Sequence, residues 1–271
     1  MSGRLISSPY LVKPHQKVKL SHFATADTGR YRNKEEAAAD LERNRQKLDA
    51  LQELLTAECR HAVLIVLQGI DTAGKDGTIR HIFTGVNPQA CNVTSFKVPT
   101  PLELKHDFLW RAHRAVPQFG TVGIFNRSHY EDVLVTRVHK QVSDKLVKER
   151  FQQIVDFERT LFENNVTVLK FFLHISREEQ TRRLAERLAD PDKRWKISEA
   201  DFAERGYWPQ YTRAYQGAIE NTSRSHAPWF IIPSDHKWYR NAAISEILVN
   251  AIGKLKMKYP KPSFDPSKVK L

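Results

Sequence analysis

Residues 62–83 read AVLIVLQGIDTAGKDGTIRHIF, and this stretch decides the predicted fold. Residues 62–67 are apolar without interruption, which predicts a strand buried on both faces, as in a parallel sheet. Residues 69–75, GIDTAGK, form a G-x4-G-K loop, and helical sequence follows. This order predicts a phosphate-binding site, because the glycines let backbone N–H groups turn inward and the helix N-terminus adds positive potential. An ordinary glycine-rich turn is the alternative interpretation.

Side chains of this loop supply the charge that bound phosphate requires. Lys75 would neutralise phosphate directly. Asp71 is a candidate magnesium ligand, because Mg²⁺ takes one or two carboxylates together with phosphate oxygens; alternatively, Asp71 only stabilises the turn. The serine or threonine that usually follows the lysine is replaced by Asp76. We predict that phosphate contacts Gly69, Thr72, Ala73, Gly74, Lys75, Asp76 and Gly77.

The charge balance narrows the class of partner. The chain has 271 residues, and its 43 Lys plus Arg against 31 Asp plus Glu give a formal net charge of +12. Such an excess indicates a nucleic acid, an anionic membrane or a phosphate-rich small molecule. Nucleic acid is disfavoured, because the sequence contains no known DNA- or RNA-binding motif and its aromatic residues are not interleaved with the basic ones.

Cysteine usage and hydropathy indicate the compartment. Cys59 and Cys91 lack metal-ligand spacing and are too few for a disulfide framework, as expected in a reducing cytoplasm. Residues 1–20 contain no apolar core of signal-peptide length, and no apolar run approaches the length needed to span a membrane. We therefore expect a cytoplasmic protein without a membrane partner.

The rest of the chain alternates between strand and helix patterns. Strands are predicted at residues 62–67, 92–96, 120–125, 166–175 and 229–233, and helices at 34–58, after the loop, at 102–115, 145–164 and 242–256, and from a Ser-x-x-Glu capping box at 176 to the break at 190–191. This alternation predicts an α/β protein with a five-stranded parallel sheet covered by helices on both faces. One domain is predicted for residues 1–271, with an extended arm at 1–33 and a tail at 257–271.

Ligands of such sheets bind beyond the carboxyl ends of the strands, and a second polar cluster lies at such an end. Asn126, Arg127, Glu131 and Asp132 follow the strand predicted at 120–125. Arg127 would clamp phosphate by two parallel hydrogen bonds. Glu131 and Asp132 are candidate metal ligands, because phosphate-loop enzymes hold magnesium with an acid at this place.

A third, basic cluster lies in residues 176–200, which we interpret as a mobile helical lid over the phosphate site. Its members are Arg182, Arg183, Arg187, Lys193 and Arg194. A solvated basic face is the alternative interpretation. Lys97 and Arg111 are lower-ranked members of the same basic surface. The residues predicted to act in catalysis are Asp71, Lys75, Arg127 and Arg183.

Four segments together resemble the polyphosphate kinase 2 family, which moves phosphate between inorganic polyphosphate and nucleotides. They are GIDTAGKDGTIRHIF at 69–83, GVNPQACNVTSFKVPTPLELKHDFLWR at 85–111, GIFNRSHYEDVLVTRVH at 123–139 and DKRWKIS at 192–198. The resemblance implies a three-layer α/β/α P-loop kinase fold with a helical lid, magnesium, and homo-oligomers, either dimers or tetramers. It also implies direct transfer between bound anions without a phosphoenzyme.

The resemblance also bears on the acceptor. Members of the first class usually have Asp where this chain has Asn126, and the version here looks like the third class, described as phosphorylating both AMP and ADP. The expected substrates are therefore inorganic polyphosphate and the nucleotides AMP, ADP and ATP. The Asn126 departure leaves open which acid completes the metal site. The main alternative is an ATP-dependent nucleoside or nucleotide kinase, which would need a second base pocket but not such a basic surface.

Overall fold

A computed structural model describes residues 7–269 of the chain. Its strands are β1 (Leu11–Val12), β2 (Ala62–Gln68), β3 (Cys91–Ser95), β4 (Val122–Asn126), β5 (Val166–His174) and β6 (Trp229–Pro233). Its α-helices are α1 (Lys34–Glu58), α2 (Lys75–Ile82), α3 (Trp110–Arg114), α4 (Val135–Val138), α5 (Asp144–Glu163), α6 (Arg177–Ala189), α7 (Glu199–Arg205), α8 (Trp208–Thr222) and α9 (Lys237–Gly253). Among residues 7–269, no helix has the length and apolar character needed to cross a membrane.

The strands form one mixed sheet in the order β1-β6-β5-β2-β4-β3. The five predicted strands all form, and neighbours among them pair in parallel. The prediction of a five-stranded sheet is wrong, because β1 adds a sixth strand that runs antiparallel to β6, with Leu11 opposite Phe230. A two-residue strand has no detectable periodicity, so the arm that contains it reads only as extended chain. Residues 1–6 of that arm and 270–271 of the tail lie outside the described residues.

Strand β2 lies at the centre of the sheet, and all seven of its residues are buried. Val63 and Ile65 pack in the core that contains residues of α1 and α9. Leu64 and Val66 face the other way, into the core formed with α5 and α8. Helices therefore cover both faces, which explains the uninterrupted apolar run in β2. The loops after β2, β4 and β5 emerge together at the carboxyl edge of the sheet.

Two helix predictions differ from the structure, and three α-helices lie outside the predictions. Residues 102–115 contain only a 3-10 turn at Glu103–Lys105 and the short α3. Between them the Asp107 side chain accepts a hydrogen bond from the N–H of Leu109 (2.9 Å), a local turn that competes with helix. Helix α9 begins at Lys237 rather than at 242. Its first turns bury aromatic and charged residues, and such a sequence does not show the apolar spacing from which a helix is predicted. Helices α4, α7 and α8 lie where no helix is predicted.

A fully buried polar network lies between the sheet and α5. Nζ of Lys170 lies 2.5 Å from Oε2 of Glu158, and both side chains are completely buried. Lys170 also donates hydrogen bonds to the hydroxyl of Tyr130 (3.0 Å) and the carbonyl of Thr222 (2.8 Å). Burial lowers the pKa of Lys170 to about 8, against the opposing effect of Glu158. The network joins β5, α5, α8 and the 3-10 turn His129–Asp132 that follows β4.

Helix α6 begins directly after β5 and is capped by Ser176. Its Oγ accepts a hydrogen bond from the N–H of Glu179 (3.0 Å), as the capping pattern predicts. The N–H of Ser176 donates to Oδ1 of Asp235 (2.8 Å), because the Glu179 carboxylate instead pairs with two arginines. The cap fixes the start of the helix that carries part of the candidate site.

Replacing this cap is expected to weaken the fold modestly. In Ser176→Ala the N–H of Glu179 loses its acceptor, which should lower the free energy of unfolding by about 1 kcal/mol. Urea unfolding followed by circular dichroism measures the loss. Ser143→Ala, which removes the equivalent cap of α5 (3.2 Å to the N–H of Leu146), should lose a similar amount. Ser176→Asn keeps a capping oxygen, so a loss in that variant as large as in Ser176→Ala would contradict the capping role.

Candidate active site

The glycine loop, residues 69–74, connects β2 to α2 in a conformation that leaves no room for side chains at its two glycines. Gly74 has φ +100°, and a Cβ there would lie 2.0 Å from Nη1 of Arg240. A Cβ on Gly69 would lie 2.9 Å from the Cβ of Ala73 and 3.0 Å from a backbone carbonyl oxygen of β5. Thr72 also has a left-handed backbone (φ 68°). The loop therefore requires glycine at both positions.

Lys75, the first residue of α2, reaches back across this loop. Its Nζ donates a hydrogen bond to the carbonyl oxygen of Gly69 (2.8 Å), and only 9% of the residue is exposed. Burial lowers the pKa of Lys75, as does the neighbouring Arg127, while Asp71 acts in the opposite direction. The ammonium group is poorly solvated at the loop, so an anion that compensates its charge would be bound favourably.

Two buried arginines hold the glycine loop from behind. Nη1 of Arg183 donates to the carbonyls of Thr72 (2.9 Å) and Ala73 (3.1 Å), and its Nε lies 2.6 Å from Oε1 of Glu179. Nη1 of Arg240 donates to the same Ala73 carbonyl (3.0 Å). Burial, together with the charge of Arg183, lowers the pKa of Arg240 to about 9. The loop backbone is therefore fixed by side chains from α6 and α9.

This arrangement corrects the role predicted for Arg183. The residue is 3% exposed, and its Nη2 donates to the carbonyls of Ser234 (2.5 Å) and Asp235 (3.1 Å). Its guanidinium group thus lies behind the loop and is bonded to protein throughout, rather than extending over a substrate from a lid. Arg183 is a positioning residue in this structure. It shapes the loop through the carbonyls that it binds.

Asp71, Arg127 and Glu131 meet where β2 and β4 end. Nη2 of Arg127 lies 2.6 Å from Oδ1 of Asp71, and its Nη1 lies 3.9 Å from Oε2 of Glu131. Arg127 has φ 60°, an uncommon conformation for a non-glycine residue that turns the chain at the strand end. Burial raises the pKa of Glu131, and the charges of Arg127 and Lys75 oppose that rise. The structure thus brings together three residues predicted from two separate motifs.

Asp132, predicted beside Glu131 as a metal ligand, faces another direction. Its Oδ2 accepts a hydrogen bond from Nη2 of Arg111 (3.3 Å), while Nη1 of Arg111 donates to the carbonyl of Lys97 (2.9 Å). Arg111 is buried by these contacts, so the structure uses it to brace the chain after β3 rather than to bind phosphate. The Lys97 side chain is exposed. Within residues 7–269, no three His, Cys, Asp or Glu side chains form a metal-binding cluster.

Asp76 and Asn126, which also come from different motifs, lie side by side. Nδ2 of Asn126 donates a hydrogen bond to Oδ1 of Asp76 (2.6 Å). Asp76 is exposed in the first turn of α2, and Asn126 is the last residue of β4. The pair joins the loop to the neighbouring strand end and leaves the carboxylate accessible.

The predicted lid divides into a fixed part and an exposed part. Arg182 pairs along α6 with Glu179 and Glu186, and Lys193 pairs with Asp190. Nε of Arg194 donates to the carbonyl of Leu188 (2.8 Å). Arg187 is half-buried, and within residues 7–269 its guanidinium group has no hydrogen-bond or ion-pair partner. Among the predicted lid arginines, Arg187 therefore keeps all of its donors available within residues 7–269, and Arg194 keeps its two terminal nitrogens available.

A cleft beside Asp71 separates the strand ends from α7 and α8. It contains about 400 Å³ of empty space, including solvent at its mouth. Gly69, Asp71, Arg127 and Glu131 form its floor. The other lining residues are Ile70, Val135, Gln180, Asp201, Glu204, Arg205, Tyr211 and Tyr215. Four of the predicted loop and strand-end residues, Gly69, Asp71, Arg127 and Glu131, therefore lie at one concave site.

Comparison with protein families agrees with this geometry. The sequence model described as polyphosphate kinase 2 matches residues 31–260. The chain belongs to the polyphosphate kinase 2 family. The resemblance inferred from the four motif segments is thereby confirmed.

Several polyphosphate kinase 2 relatives are similar over almost the whole chain. The AMP/ADP-polyphosphate phosphotransferase of Meiothermus ruber is 48% identical over 261 residues, which cover 96% of this chain and 98% of that protein. The ADP-polyphosphate phosphotransferase of Rhodopseudomonas palustris is 39% identical over 269 residues, covering 95% and 93%. The crystal structure of polyphosphate kinase 2 from Arthrobacter aurescens TC1 superposes with a TM-score of 0.92 at 40% identity, covering 97% of this chain and 95% of that one.

Sequence reasoning missed several residues of this polyphosphate kinase 2 site. Arg240 lies in the first turns of α9, where no helix is predicted, and nothing in its local sequence indicates contact with the glycine loop. Tyr211 and Tyr215 are four residues apart on α8, so a helical period there would have indicated a shared face. Gln180 lies one turn after the Ser176 cap, at the end of a predicted strand, and that position was a usable signal.

Proposed function

We propose that this chain transfers a phosphoryl group from inorganic polyphosphate to AMP and ADP, forming ADP and ATP. The observation that carries the proposal is the meeting of Lys75, Arg127 and Asp71 at the strand ends, in a basic chain of the polyphosphate kinase 2 family. The names of the Meiothermus and Rhodopseudomonas relatives support this reaction. The Meiothermus name includes AMP and the Rhodopseudomonas name does not, so use of AMP as acceptor is the finer part of the proposal.

In the proposed mechanism the glycine loop acts as a P-loop. Phosphoryl transfer depends on positioning and positive charge rather than on a covalent step with protein. The loop N–H groups and Lys75 would hold phosphate oxygens, with Lys75 leaving the Gly69 carbonyl for the anion. Arg127 would exchange Asp71 for phosphoryl oxygens, which its planar guanidinium can bind in pairs. Transfer then proceeds in line between two anions that meet at the glycine loop.

The site fits magnesium through two carboxylates. Asp71 and Glu131 both line the cleft beside the loop, and Mg²⁺ is usually held by one or two carboxylates together with substrate phosphates. When bound, Mg²⁺ supplies positive charge to the phosphoryl oxygens. Asp132 does not belong to this set, because its carboxylate faces Arg111. We therefore propose Asp71 and Glu131 as the magnesium ligands.

The position of the lid, the compartment and the oligomeric state belong to the same proposal. We place the moving lid at residues 191–205, because Arg183 fixes the first turns of α6 to the glycine loop. Arg187 beside this lid, together with Arg194 and the exposed Lys196 within it, would guide the anionic polyphosphate by attraction that weakens with salt. We propose that residues 1–271 act as one cytoplasmic kinase domain that assembles into homo-oligomers.

The experiment is nucleotide chromatography after mixing the purified chain with Mg²⁺, polyphosphate and either AMP or ADP. We expect ADP and then ATP from AMP, and ATP from ADP. Product from ADP alone would restrict the acceptor range. If polyphosphate yields no product while ATP phosphorylates a nucleoside or monophosphate, the chain is the ATP-dependent kinase instead. A reaction with EDTA in place of Mg²⁺ is the control for the metal requirement.

A further inference from the structure

Gln180 has a buried oxygen that no part of the described protein satisfies. The residue is 1% exposed and lies in the first turn of α6, where it lines the cleft. Its Nε2 donates a hydrogen bond to the carbonyl oxygen of Asp71 (3.0 Å). Its Oε1 has no hydrogen-bond partner among the described residues. A buried acceptor without a partner is costly, so this oxygen indicates a ligand that donates to it.

The Asp71 carbonyl fixes the orientation of the Gln180 amide. If the Gln180 amide were reversed, its oxygen would lie against the Asp71 carbonyl, placing two acceptors together without a proton between them. The orientation with Nε2 on Asp71 is therefore the one that the surroundings permit. The group of Gln180 that stays available to a ligand is therefore a hydrogen-bond acceptor.

An acceptor at this point selects between the two substrates of the proposed reaction. Internal phosphates of polyphosphate carry acceptor oxygens and no hydrogen-bond donors, so they would be repelled by a carbonyl oxygen. A nucleoside carries hydroxyl groups on its sugar and, in adenine, an amino group on its base. The walls near Gln180 suit such a group, because Ile70, Val135 and the ring of Tyr215 offer apolar surface.

The charges around the cleft favour the same substrate. Its upper part is lined by Asp201, Glu204 and Arg205 of α7, which carry one more negative than positive charge. Glu204 accepts a hydrogen bond from the hydroxyl of Tyr211 (2.7 Å), and Nη2 of Arg205 donates to Oγ1 of Thr181 (2.8 Å). An excess of carboxylates disfavours a long polyanion and tolerates an uncharged nucleoside.

We propose that the cleft beside Gln180 receives the nucleoside part of the acceptor nucleotide, whose O–H or N–H group donates a hydrogen bond to Oε1 of Gln180. This assignment rests on the proposed function and adds the substrate part that the cleft takes. The phosphates of the nucleotide then point to the glycine loop, since Gly69 and Asp71 belong to the same cleft. Polyphosphate approaches the loop from the basic side, near Arg187.

The test compares binding of ADP and of tripolyphosphate, each measured by calorimetry first in EDTA and then with Mg²⁺, to the wild-type chain and to Gln180→Met. Methionine has similar length and no strong hydrogen-bonding group. The Kd of ADP should rise about 2- to 10-fold, the effect of one hydrogen bond, while that of tripolyphosphate should stay unchanged. The matched control is Gln52→Met, since Gln52 is also buried but exchanges its hydrogen bonds with Asn87 away from the cleft. It should change neither Kd.

A second arm uses the wild-type chain and therefore does not depend on the folding of a variant. ADP is compared with 2′-deoxy-ADP, 3′-deoxy-ADP and the diphosphate of purine riboside, which lacks the amino group. One analogue should bind about 2- to 10-fold more weakly than ADP to the wild-type chain, and with no such difference to Gln180→Met. That analogue identifies whether a sugar hydroxyl or the base amine is the donor.

Three outcomes would overturn the assignment. They are weaker binding of tripolyphosphate by Gln180→Met, a loss of ADP affinity that occurs only with Mg²⁺ present, and equal binding of all four nucleotides by the wild-type chain. The first places polyphosphate in the cleft, and the second makes Gln180 a metal ligand. Failure of the proposed function is a separate result, because the wild-type chain would then transfer nothing from polyphosphate to AMP or ADP.

Discussion

Lys75→Ala is expected to lower the rate of phosphoryl transfer about 10²- to 10³-fold, the loss seen when one preorganised donor to a reacting oxyanion is removed. Lys75 opens α2 and bonds to Gly69 across the loop, so its ammonium lies within reach of any phosphate that the loop binds. The residues that line the adjoining cleft include Arg127 and Arg205 but no lysine. No neighbouring lysine would therefore replace the charge of the Lys75 ammonium group in the transition state. Initial rates with saturating ADP and polyphosphate measure the effect.

The control separates catalysis from folding. Lys75→Ala also loses the hydrogen bond to Gly69, which should cost only about 1 kcal/mol of unfolding free energy. Lys148→Ala removes an exposed lysine of α5 on another part of the surface, and its rate should equal that of the wild-type chain. A Lys75→Ala enzyme that keeps more than about a tenth of the wild-type rate, against the losses expected for such a donor, would show that the loop lysine does not act on the transferred phosphoryl group.

Lys170→Met is expected to lower the free energy of unfolding by about 3–5 kcal/mol, because it leaves the Glu158 carboxylate buried without its partner. Lys170 and Glu158 lie 2.5 Å apart and are completely buried, so no water can replace the lost ammonium group. The hydroxyl of Tyr130 keeps its contact with Oγ1 of Thr222 (2.9 Å) and does not become an additional unpaired group. Equilibrium unfolding in urea measures the change.

Removing both charges distinguishes a broken ion pair from lost packing. The double variant Lys170→Met with Glu158→Leu should recover most of the stability, because replacing both members of a buried pair by apolar residues is often neutral or stabilising. Lys17→Met provides the surface comparison. Lys17 pairs with Glu220 at 2.6 Å but its side chain is 92% exposed, so less than about 1 kcal/mol should be lost. A double variant as unstable as Lys170→Met would attribute the effect to packing.

The elements that the sequence predicts well are those in which local pattern and tertiary burial agree. Strand β2 is buried on both faces and is apolar throughout, and α1 has the predicted bounds of 34–58. The glycine loop is identifiable because its backbone demands particular residues, such as glycine at 74. Strand β1 and helices α3 and α9 are different. Their bounds depend on contacts with distant segments, which short windows of sequence do not contain.

The candidate site divides in the same way. Asp71, Lys75 and Arg127 are tied to the backbone of the loop and the strand end, so their motifs indicate where these side chains lie. Helical spacing correctly relates Arg183 to Arg187, but it does not say which of them faces the protein. Asp132 follows Glu131 directly, and consecutive residues in a turn face different directions. The orientation of these side chains depends on partners such as Arg111 that sequence spacing does not reveal.

The two arginines behind the glycine loop determine whether the loop loses its conformational entropy during folding or during phosphate binding. Arg183 and Arg240 converge on the Ala73 carbonyl, and Gly74 lies directly against the guanidinium of Arg240. The conformational freedom of the loop is therefore given up during folding, before any phosphate arrives. Binding then requires little further ordering of these residues, so more of the contact energy remains available as affinity. The rigidity of the loop is a property of α6 and α9 as much as of its own glycines.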